Sequence, residues 1–296
     1  MGLLEAHAAL KGKSAVLIGG SGGVGRPTTL ALAKAGVRII TCDVDEEAVR
    51  AIGPEVEALG GQILSLKADV ADPESLDRFY DRVEAELDSL DILVNVAGCG
   101  MRRGPFMEQT REEDTRTIRI NYAYVIDSVR RAVPLMRKTG SGGSIINFTT
   151  IEAHRGAASY TVYAGAKAAL TNFTRAAAVE LAEEGIRINA VAPDTTPAKG
   201  SFSSLGPELL AKMETLGEDA WTDALNMYVP QKQVPSQEDL ADAVVFLASD
   251  MSRAITGTTI HVDGGAMAAA GFINWPYGDG WGPAPLYGTV KKLFHS

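Results

Sequence analysis

The sequence predicts an α/β protein with a single doubly wound parallel sheet of about seven strands and helices on both faces. Short β-branched runs alternate with longer helical patterns almost from end to end of the chain. Several of the short runs are nearly all apolar, which is typical of parallel strands that helices cover on both faces. With 296 residues, of which 46% are hydrophobic, the chain is long enough to bury such a core.

The elements follow one another in a regular order. The apolar runs predict strands over residues 14–19, 37–42, 62–67, 91–95, 144–148, 186–191 and 258–262. Helical periodicity predicts helices over residues 24–35, 45–59, 73–87, 110–138, 159–184 and 236–249. Thr110 with Glu113, and Ser236 with Asp239, have the spacing of side chains that cap the first turn of a helix.

Composition and charge argue against several classes of protein. There are 37 acidic and 28 basic residues, a formal net charge of −9, and no basic run that would bind nucleic acid. No stretch reaches the ~18 apolar residues of a membrane span, and the N-terminal segment lacks the apolar core of a secretory signal. The cysteines are Cys42 and Cys99, and no Cys/His spacing indicates a metal site. We expect a reduced, cytoplasmic protein with no metal, in which both thiols are small buried side chains.

Residues 19–25 read Gly-Gly-Ser-Gly-Gly-Val-Gly and lie directly between a predicted strand and a predicted helix. Glycines in such a turn allow the backbone to approach a pyrophosphate closely, and the start of the helix offers it unpaired N–H groups. Because glycine-rich turns also serve ordinary loops, the strand–turn–helix context carries this prediction. The predicted binding residues of the turn are Gly19, Ser21, Gly23, Val24 and Gly25.

Asp43 ends the second predicted strand and indicates which dinucleotide binds. A carboxylate at this distance after the turn accepts hydrogen bonds from the hydroxyl groups of the adenosine ribose. The same charge repels the 2′-phosphate of NADP, and neither Gly22 nor Val44 supplies a compensating cation. The sequence therefore favours NAD as the cofactor.

A second pattern, Thr150-x12-Tyr163-x3-Lys167, indicates acid/base chemistry. Tyr163 and Lys167 share one face of a helix, although an isolated pair of this kind is more often a tyrosine packed under a solvated lysine. Thr150, at the end of an apolar strand, and the glycine-rich turn favour a catalytic pair instead. An ammonium group ~4–5 Å from a phenol stabilises the phenolate by about 3–4 kcal/mol at an effective dielectric of 20. Such a tyrosine can remove the hydroxyl proton of an alcohol while hydride leaves the carbon, and Thr150 can hold the substrate oxygen.

These motifs resemble the short-chain dehydrogenase/reductase family, and the resemblance runs from about Lys13 to Gly265. Residues 91–98 are similar to the family's Asn-Asn-Ala-Gly element, residues 69–70 to the pair that contacts adenine, and residues 256–265 to the usual end of the sheet. The resemblance implies a Rossmann-type fold and an NAD-dependent oxidoreductase that interconverts a secondary alcohol and a ketone. It also implies a homodimer or homotetramer assembled through the helix that carries Tyr163.

The resemblance further implies a role for each matching residue. Tyr163 is the general acid/base, and Lys167 stabilises its phenolate and holds the nicotinamide ribose. Thr150 orients the substrate, and Asn121 supports a proton relay to the lysine, although an Asn on a helix by itself indicates only a cap or a local hydrogen bond. Cofactor contacts beyond the glycine-rich turn and Asp43 are implied for Asp69, Val70, Asn95, Ala97, Gly98, Tyr163, Lys167, Pro193 and Thr195.

The sequence departs from the family pattern near the expected substrate. Thr150 stands where the family usually has Ser, which keeps the hydroxyl group and adds a methyl group. Asp194 stands where the family usually has Gly, and its carboxylate either lies near the nicotinamide or faces solvent. Glu152, His154 and Tyr160 follow Thr150 in a segment that borders the substrate in such enzymes. His154 is either a second acid/base or, more often, a packing or surface histidine.

Residues 1–265 are thus predicted to form the dinucleotide-binding and catalytic domain, with a substrate-covering insert at about 194–234. Residues 266–296 form a tail rich in Gly, Pro and aromatic residues, which packs on the body or on a neighbouring subunit or, alternatively, covers the substrate. The aromatic residues of the tail favour an apolar or cyclic alcohol as substrate. The alternative function is a catalytically weak NAD(H)-binding redox sensor or assembly protein.

Overall fold

The computed structural model describes residues 3–98, 104–194, 196, 211, 215, 223, 225–275 and 280–283. The strands are β1 (Ser14–Ile18), β2 (Arg38–Asp43), β3 (Ile63–Lys67), β4 (Ile92–Asn95), β5 (Gly143–Phe148), β6 (Ile186–Pro193), β7 (Thr259–Val262), β8 (Phe272–Trp275) and β9 (Gly280–Pro283). The α-helices are α1 (Leu3–Ala8), α2 (Gly25–Lys34), α3 (Glu46–Ala58), α4 (Pro73–Glu86), α5 (Arg111–Ile118), α6 (Tyr124–Arg137), α7 (Thr161–Leu181) and α8 (Gln237–Ala248).

The first seven strands form one parallel sheet in the order β3-β2-β1-β4-β5-β6-β7. The prediction of a single doubly wound sheet of about seven strands is therefore confirmed. The chain runs outward from β1 to β3 and then returns to the other side of β1 with β4. Connections on either side of this point run in opposite directions, which opens a crevice where ligands bind in such sheets.

Helices cover both faces of the sheet because successive side chains of a strand point to opposite faces. Val16 and Ile18 of β1 belong to one buried cluster with residues of α4, α6 and α7. Ala15 and Leu17 of the same strand belong to another buried cluster, with residues of α2, α3 and α8. All four side chains are fully buried. Burial on both faces explains why the predicted strands read as continuous apolar runs.

Two predicted helix starts are confirmed, and one predicted helix contains a π-helical turn. Thr110 accepts the Glu113 N–H at 3.2 Å while the Glu113 carboxylate accepts the Thr110 N–H at 2.8 Å. Ser236 and Asp239 form the same reciprocal cap at the start of α8. The predicted helix over residues 110–138 is confirmed in its extent, and a π-helical turn (Arg119–Ala123) joins α5 to α6 within it.

Part of the C-terminal tail forms an antiparallel hairpin of β8 and β9. The side-chain amide of Asn274 donates to the carbonyl of Asn226 at 3.2 Å. The ammonium group of Lys232 lies 5.1 Å from the centre of the Trp281 ring. These contacts place the hairpin against residues of the predicted substrate-covering insert, so both interpretations of the tail, packing on the body and covering the substrate, stay predictions. The division at residue 265 and the extent of the substrate-covering insert stay predictions, since most of residues 194–234 and 276–296 lie outside the described residues.

Among the residues that the structure describes, no helix is long and apolar enough to cross a membrane. No group of three His, Cys, Asp or Glu side chains in the same part of the chain could hold a metal ion. Cys42 is buried in β2, as predicted, and burial raises the pKa of its thiol to about 12. The prediction for Cys99 falls outside the described residues.

Candidate active site

The predicted site residues lie along one edge of the sheet. All seven strands are parallel, so their carboxyl ends share this edge. Gly19 follows β1, Asp43 ends β2, Asp69 follows β3, Ala97 follows β4, Thr150 follows β5 and Pro193 ends β6. Residues far apart in the sequence therefore come together at the mouth of the crevice.

The glycine-rich turn is packed so tightly that three of its glycines, Gly19, Gly20 and Gly25, have no room for a side chain. Gly19 has a φ of +85°, and a Cβ there would lie 2.7 Å from the amide nitrogen of Ala97. A Cβ on Gly25 would lie 1.8 Å from the carbonyl oxygen of Gly19. Nothing lies within 4 Å of the corresponding position on Gly23, so the turn is open on that side. Val24, the residue before α2, has an apolar side chain and therefore cannot cap the first turn of the helix. These features fit a bound pyrophosphate.

Asp43 is held beside this turn by backbone N–H groups. Its carboxylate accepts hydrogen bonds from the amides of Ser21 at 3.3 Å, Gly22 at 3.1 Å and Asp45 at 3.2 Å. The hydroxyl of Ser21 is 3.1 Å from that of Ser65 in β3, and Ser21 is 2% exposed. Ser21 therefore shapes the turn through internal contacts. Asp43 retains oxygen lone pairs for the hydroxyl groups of a ribose.

A groove of about 390 Å³ opens beside Asp69, at the end of β3, and includes Val44 and Ala68 in its wall. The carboxylate of Asp69 accepts the N–H of Ala71 at 2.8 Å. The carbonyl of Val70 accepts a hydrogen bond from Arg119 at 3.0 Å. These contacts fix the loop after β3, where the sequence predicts that the adenine binds.

Asn95 has a structural role that the sequence did not indicate. Its amide donates to Asn147 of β5 at 2.9 Å, and its oxygen accepts the hydroxyl proton of Ser128 in α6 at 2.9 Å. Ser128 in turn is hydrogen-bonded to Tyr80. This buried chain of polar groups ties β4 to β5 and to the helices. Its cofactor contact stays a prediction.

Ala97 and Gly98 connect the glycine-rich turn to the catalytic residues. The N–H of Ala97 donates to the carbonyl of Ile18 at 2.8 Å, and its carbonyl accepts the hydroxyl of Tyr124 at 2.7 Å. A Cβ on Gly98 would lie 2.9 Å from Oδ1 of Asn121 and 3.2 Å from Nζ of Lys167. Gly98 thus lies directly against both side chains.

Lys167 is 4% exposed and lies on α7 with Tyr163. Its ammonium donates to the carbonyl of Phe148, the last residue of β5, at 2.8 Å. The same ammonium lies 6.0 Å from the centre of the Tyr163 ring. The predicted tyrosine–lysine pair therefore exists, and β5 holds its positive charge in a buried position.

Asn121 lies within the π-helical turn, fully buried. Its amide donates to the carbonyl of Thr117 at 3.0 Å. A π-helical turn inserts one residue into the helical ladder and rotates the side chains that follow, and such turns occur often at functional sites. The sequence pattern carries no signal for this insertion.

Thr150 is 5% exposed, and its hydroxyl has two acceptors and one donor within reach, the donor being the N–H of Glu152 at 3.4 Å. Oγ1 of Thr150 lies 2.5 Å from Oε2 of Glu152 and 3.4 Å from the carbonyl oxygen of Pro193. The other Glu152 oxygen accepts a hydrogen bond from Arg155 at 2.7 Å. Arg155 also donates to the hydroxyl of Tyr228 at 2.8 Å. The sequence analysis did not single out Arg155 or Tyr228. Their pairing could not be read from the sequence, because they are 73 positions apart.

Asp194 turns inward rather than facing solvent, and its position near the nicotinamide stays a prediction. One of its carboxylate oxygens is buried. Burial, followed by a hydrogen bond to Asp194 and its negative charge, raises the pKa of the Tyr228 phenol, while Arg155 lowers it. Asp194 is therefore linked through Tyr228 and Arg155 to Glu152 and Thr150. Thr195, the next residue, lies outside the described residues, and its predicted cofactor contact stays a prediction.

His154 packs against a second histidine. The ring centres of His154 and His261 are 4.8 Å apart, and Nε2 of His154 is buried without a hydrogen-bond partner among the described residues. Burial, and then the charges of His261 and Arg175, lower the pKa of His154. These contacts support the interpretation of a neutral packing histidine.

Comparison with known proteins agrees with this arrangement. A family model described as enoyl-(acyl carrier protein) reductase matches residues 19–267. A 3-oxoacyl-[acyl-carrier-protein] reductase from Staphylococcus aureus is 33% identical over 254 residues, which cover 86% of this chain and 97% of the relative. An L-rhamnose 1-dehydrogenase (NAD(P)(+)) from Azotobacter vinelandii is 32% identical over 258 residues, with 86% and 96% covered.

A solved structure of carveol dehydrogenase from Mycobacterium avium in complex with NAD is also similar. It superposes with a TM-score of 0.79 at 29% identity and covers 87% of this chain and 98% of that structure. The family model and the relatives match most of the chain, and the sheet and its carboxyl edge have the expected geometry. The chain belongs to the short-chain dehydrogenase/reductase family and is an NAD(P)-dependent oxidoreductase of alcohol and carbonyl groups.

Proposed function

We propose that the protein is an NAD-dependent dehydrogenase that interconverts a secondary alcohol and a ketone, with Tyr163 as general acid/base. One observation carries this proposal: the buried ammonium of Lys167, fixed on the Phe148 carbonyl, lies 6.0 Å from the Tyr163 ring. A fixed positive charge near the phenol stabilises the phenolate, which is the form that removes a proton from an alcohol.

Each residue then has a defined part in the reaction. The nicotinamide, when bound, exchanges a hydride with the carbinol carbon. Tyr163 takes the hydroxyl proton during oxidation and returns it during reduction. Thr150 binds the substrate oxygen. Asn121 with Lys167 forms the path by which the proton leaves Tyr163 after oxidation and reaches Tyr163 before reduction. Both of these side chains lie against Gly98, which supports their acting together.

The preference for NAD rests on Asp43 and on its electrostatic surroundings. The Asp43 carboxylate, beside the glycine-rich turn, would repel a 2′-phosphate. Basic side chains do line the neighbouring groove, but each is paired with a carboxylate: Lys67 with Glu46 at 3.1 Å, Arg78 with Asp72 at 3.6 Å and Arg82 with Glu86 at 2.6 Å. A cation that is paired with a carboxylate attracts the 2′-phosphate of NADP less than an unpaired cation would. The pairing therefore supports NAD over NADP as the cofactor.

Replacement of Tyr163 by Phe tests the assigned reaction. The variant keeps the ring and loses the hydroxyl group, so we expect turnover to fall by about 100- to 10,000-fold with NADH affinity nearly unchanged. Turnover is measured as NADH formation over a panel of cyclic, steroid and aryl secondary alcohols, with NAD and NADP in parallel.

Tyr122→Phe is the matched control. The Tyr122 ring packs edge-on against Phe173 with its ring centre 6.3 Å away, and the loss of its hydroxyl should leave turnover near wild type. Unchanged turnover in Tyr163→Phe would refute the role of Tyr163. If the wild-type protein binds NADH tightly but oxidises none of the alcohols, the result would instead favour the alternative function, a catalytically weak NAD(H)-binding redox sensor.

A further inference from the structure

The hydroxyl of Thr150 has only one hydrogen and two acceptors within reach. Glu152 Oε2, at 2.5 Å, is charged and closer, whereas the Pro193 carbonyl is 3.4 Å away. Because a carboxylate is the stronger acceptor, the hydrogen of Thr150 points to Glu152 in this structure. When Thr150 donates that hydrogen to a substrate oxygen instead, Glu152 Oε2 loses its partner and can accept a hydrogen bond from a second group of the substrate.

Glu152 is fixed in this position. Its side chain is 15% exposed, and the oxygen that does not face Thr150 is hydrogen-bonded to Arg155 at 2.7 Å. Arg155 is itself held by Tyr228, both by a 2.8 Å hydrogen bond and by its position 5.8 Å from the ring centre. The carboxylate thus cannot turn away from Thr150 without breaking a chain of contacts.

The five side chains of Thr150, Glu152, Arg155, Asp194 and Tyr228, here called the Glu152 cluster, carry two carboxylates and one guanidinium. The single positive charge is already engaged by Glu152 and Tyr228. The cluster therefore has a net negative charge, and an anionic group of a substrate would be repelled there. A neutral group that donates a hydrogen bond would be stabilised.

We propose that Glu152 is a specificity-determining residue that binds a second hydroxyl group of the substrate, next to the carbon that is oxidised. The substrates are then neutral vicinal diols or polyols rather than simple apolar alcohols. In such a substrate, one hydroxyl lies between Thr150 and Tyr163 and its neighbour donates a hydrogen bond to the Glu152 carboxylate. This inference rests on the proposed function and narrows the substrate class of the same site.

The test compares each diol with the alcohol that lacks the second hydroxyl. We would measure kcat/KM for vicinal cyclohexanediol against cyclohexanol and for vicinal cyclopentanediol against cyclopentanol, in wild type and in Glu152→Gln. Wild type should prefer the diols by about 10- to 100-fold, the usual contribution of a hydrogen bond to a charged group. Glu152→Gln keeps the shape and an acceptor for Arg155 but removes the charge, so most of this preference should disappear.

Glu180→Gln, an exposed exchange of the same type on α7, should keep the wild-type preference. Circular dichroism and NADH affinity confirm that each variant is folded. Equal kcat/KM for diol and alcohol in wild type would overturn the inference, and so would an equal loss on both in Glu152→Gln. Either result would leave the proposed alcohol oxidation standing. A wild type that is inactive on every compound would count against the proposed function as well.

Discussion

Asp43 shows how one side chain can serve both the fold and the choice of cofactor. Its carboxylate accepts three backbone N–H groups, two of which belong to the glycine-rich turn. These contacts hold its negative charge beside the place proposed for the adenosine ribose. The sequence predicted this position correctly because Asp43 ends an apolar strand, and the end of a strand fixes where its last side chain lies.

Replacement of Asp43 by Ala should weaken NAD binding by about 10- to 100-fold, since hydrogen bonds to a charged group are lost. NADP binding should weaken less, because the repulsion of its phosphate is lost too, so the ratio of the two kcat/KM values narrows. Steady-state kinetics with both cofactors measure this ratio.

Asp45→Ala is the control from the same loop. Asp45 caps α3 by accepting the N–H groups of Glu47 at 3.0 Å and Ala48 at 3.3 Å. Its loss should lower the free energy of unfolding by about 1 kcal/mol and leave the cofactor ratio as in wild type. An unchanged ratio in Asp43→Ala would remove Asp43 from the ribose site.

Among the elements, the turn between β1 and α2 requires a glycine at position 25, whereas helix α7 has room for a side chain at its glycine, Gly165. A Cβ on Gly25 would overlap the Gly19 carbonyl at 1.8 Å, so the turn must open to accept it. Gly165 is exposed in α7 and has nothing within 4 Å of a Cβ position. The same substitution should therefore have opposite effects at the two sites.

Gly25→Ala should weaken NADH binding by at least about tenfold, because the displaced backbone no longer cradles the pyrophosphate. Gly165→Ala should raise the free energy of unfolding by about 1 kcal/mol, the helix propensity difference, with NADH affinity near wild type. Fluorescence titration with NADH and urea unfolding measure the two effects. Wild-type NADH affinity in Gly25→Ala would show that the cofactor does not contact this turn.

At the scale of the whole molecule, α5 and α7 pack against each other and present apolar side chains to solvent. Val179 of α7 is 80% exposed, and Ile118 of α5 is 44% exposed. The exposed Val179 on the helix that carries Tyr163 fits the expected assembly of a homodimer or homotetramer through α7, which stays a prediction.

Val179→Glu should shift the protein towards the monomer, because burying an unpaired carboxylate in an interface is unfavourable. Light scattering after size-exclusion chromatography gives the mass of the assembly. Leu59→Glu is the control, since Leu59 is 47% exposed and follows α3 on the opposite face of the sheet. A wild-type protein that elutes as a monomer, or a variant with the wild-type mass, would contradict assembly through α7.

Much of the fold could be predicted, and candidate site residues could be named, because the relevant signals are local. Buried parallel strands require apolar residues on both faces, so their positions are visible in the sequence to within one or two residues. The glycine-rich turn and the Tyr163–Lys167 spacing are equally local. The π-helical turn at Asn121 was missed because a single inserted residue leaves the helical periodicity almost unchanged.

The sequence by itself determined the sheet and the family, and it proposed the residues for hydride and proton transfer, since each of these signals depends on neighbours a few positions apart. Only the tertiary structure decided what surrounds the hydroxyl of Thr150. Glu152 faces Thr150 and is held by Arg155, which reaches Tyr228, and Tyr228 meets Asp194. These partners come from three separate segments, and their charges act on one another only after the fold has excluded water from between them.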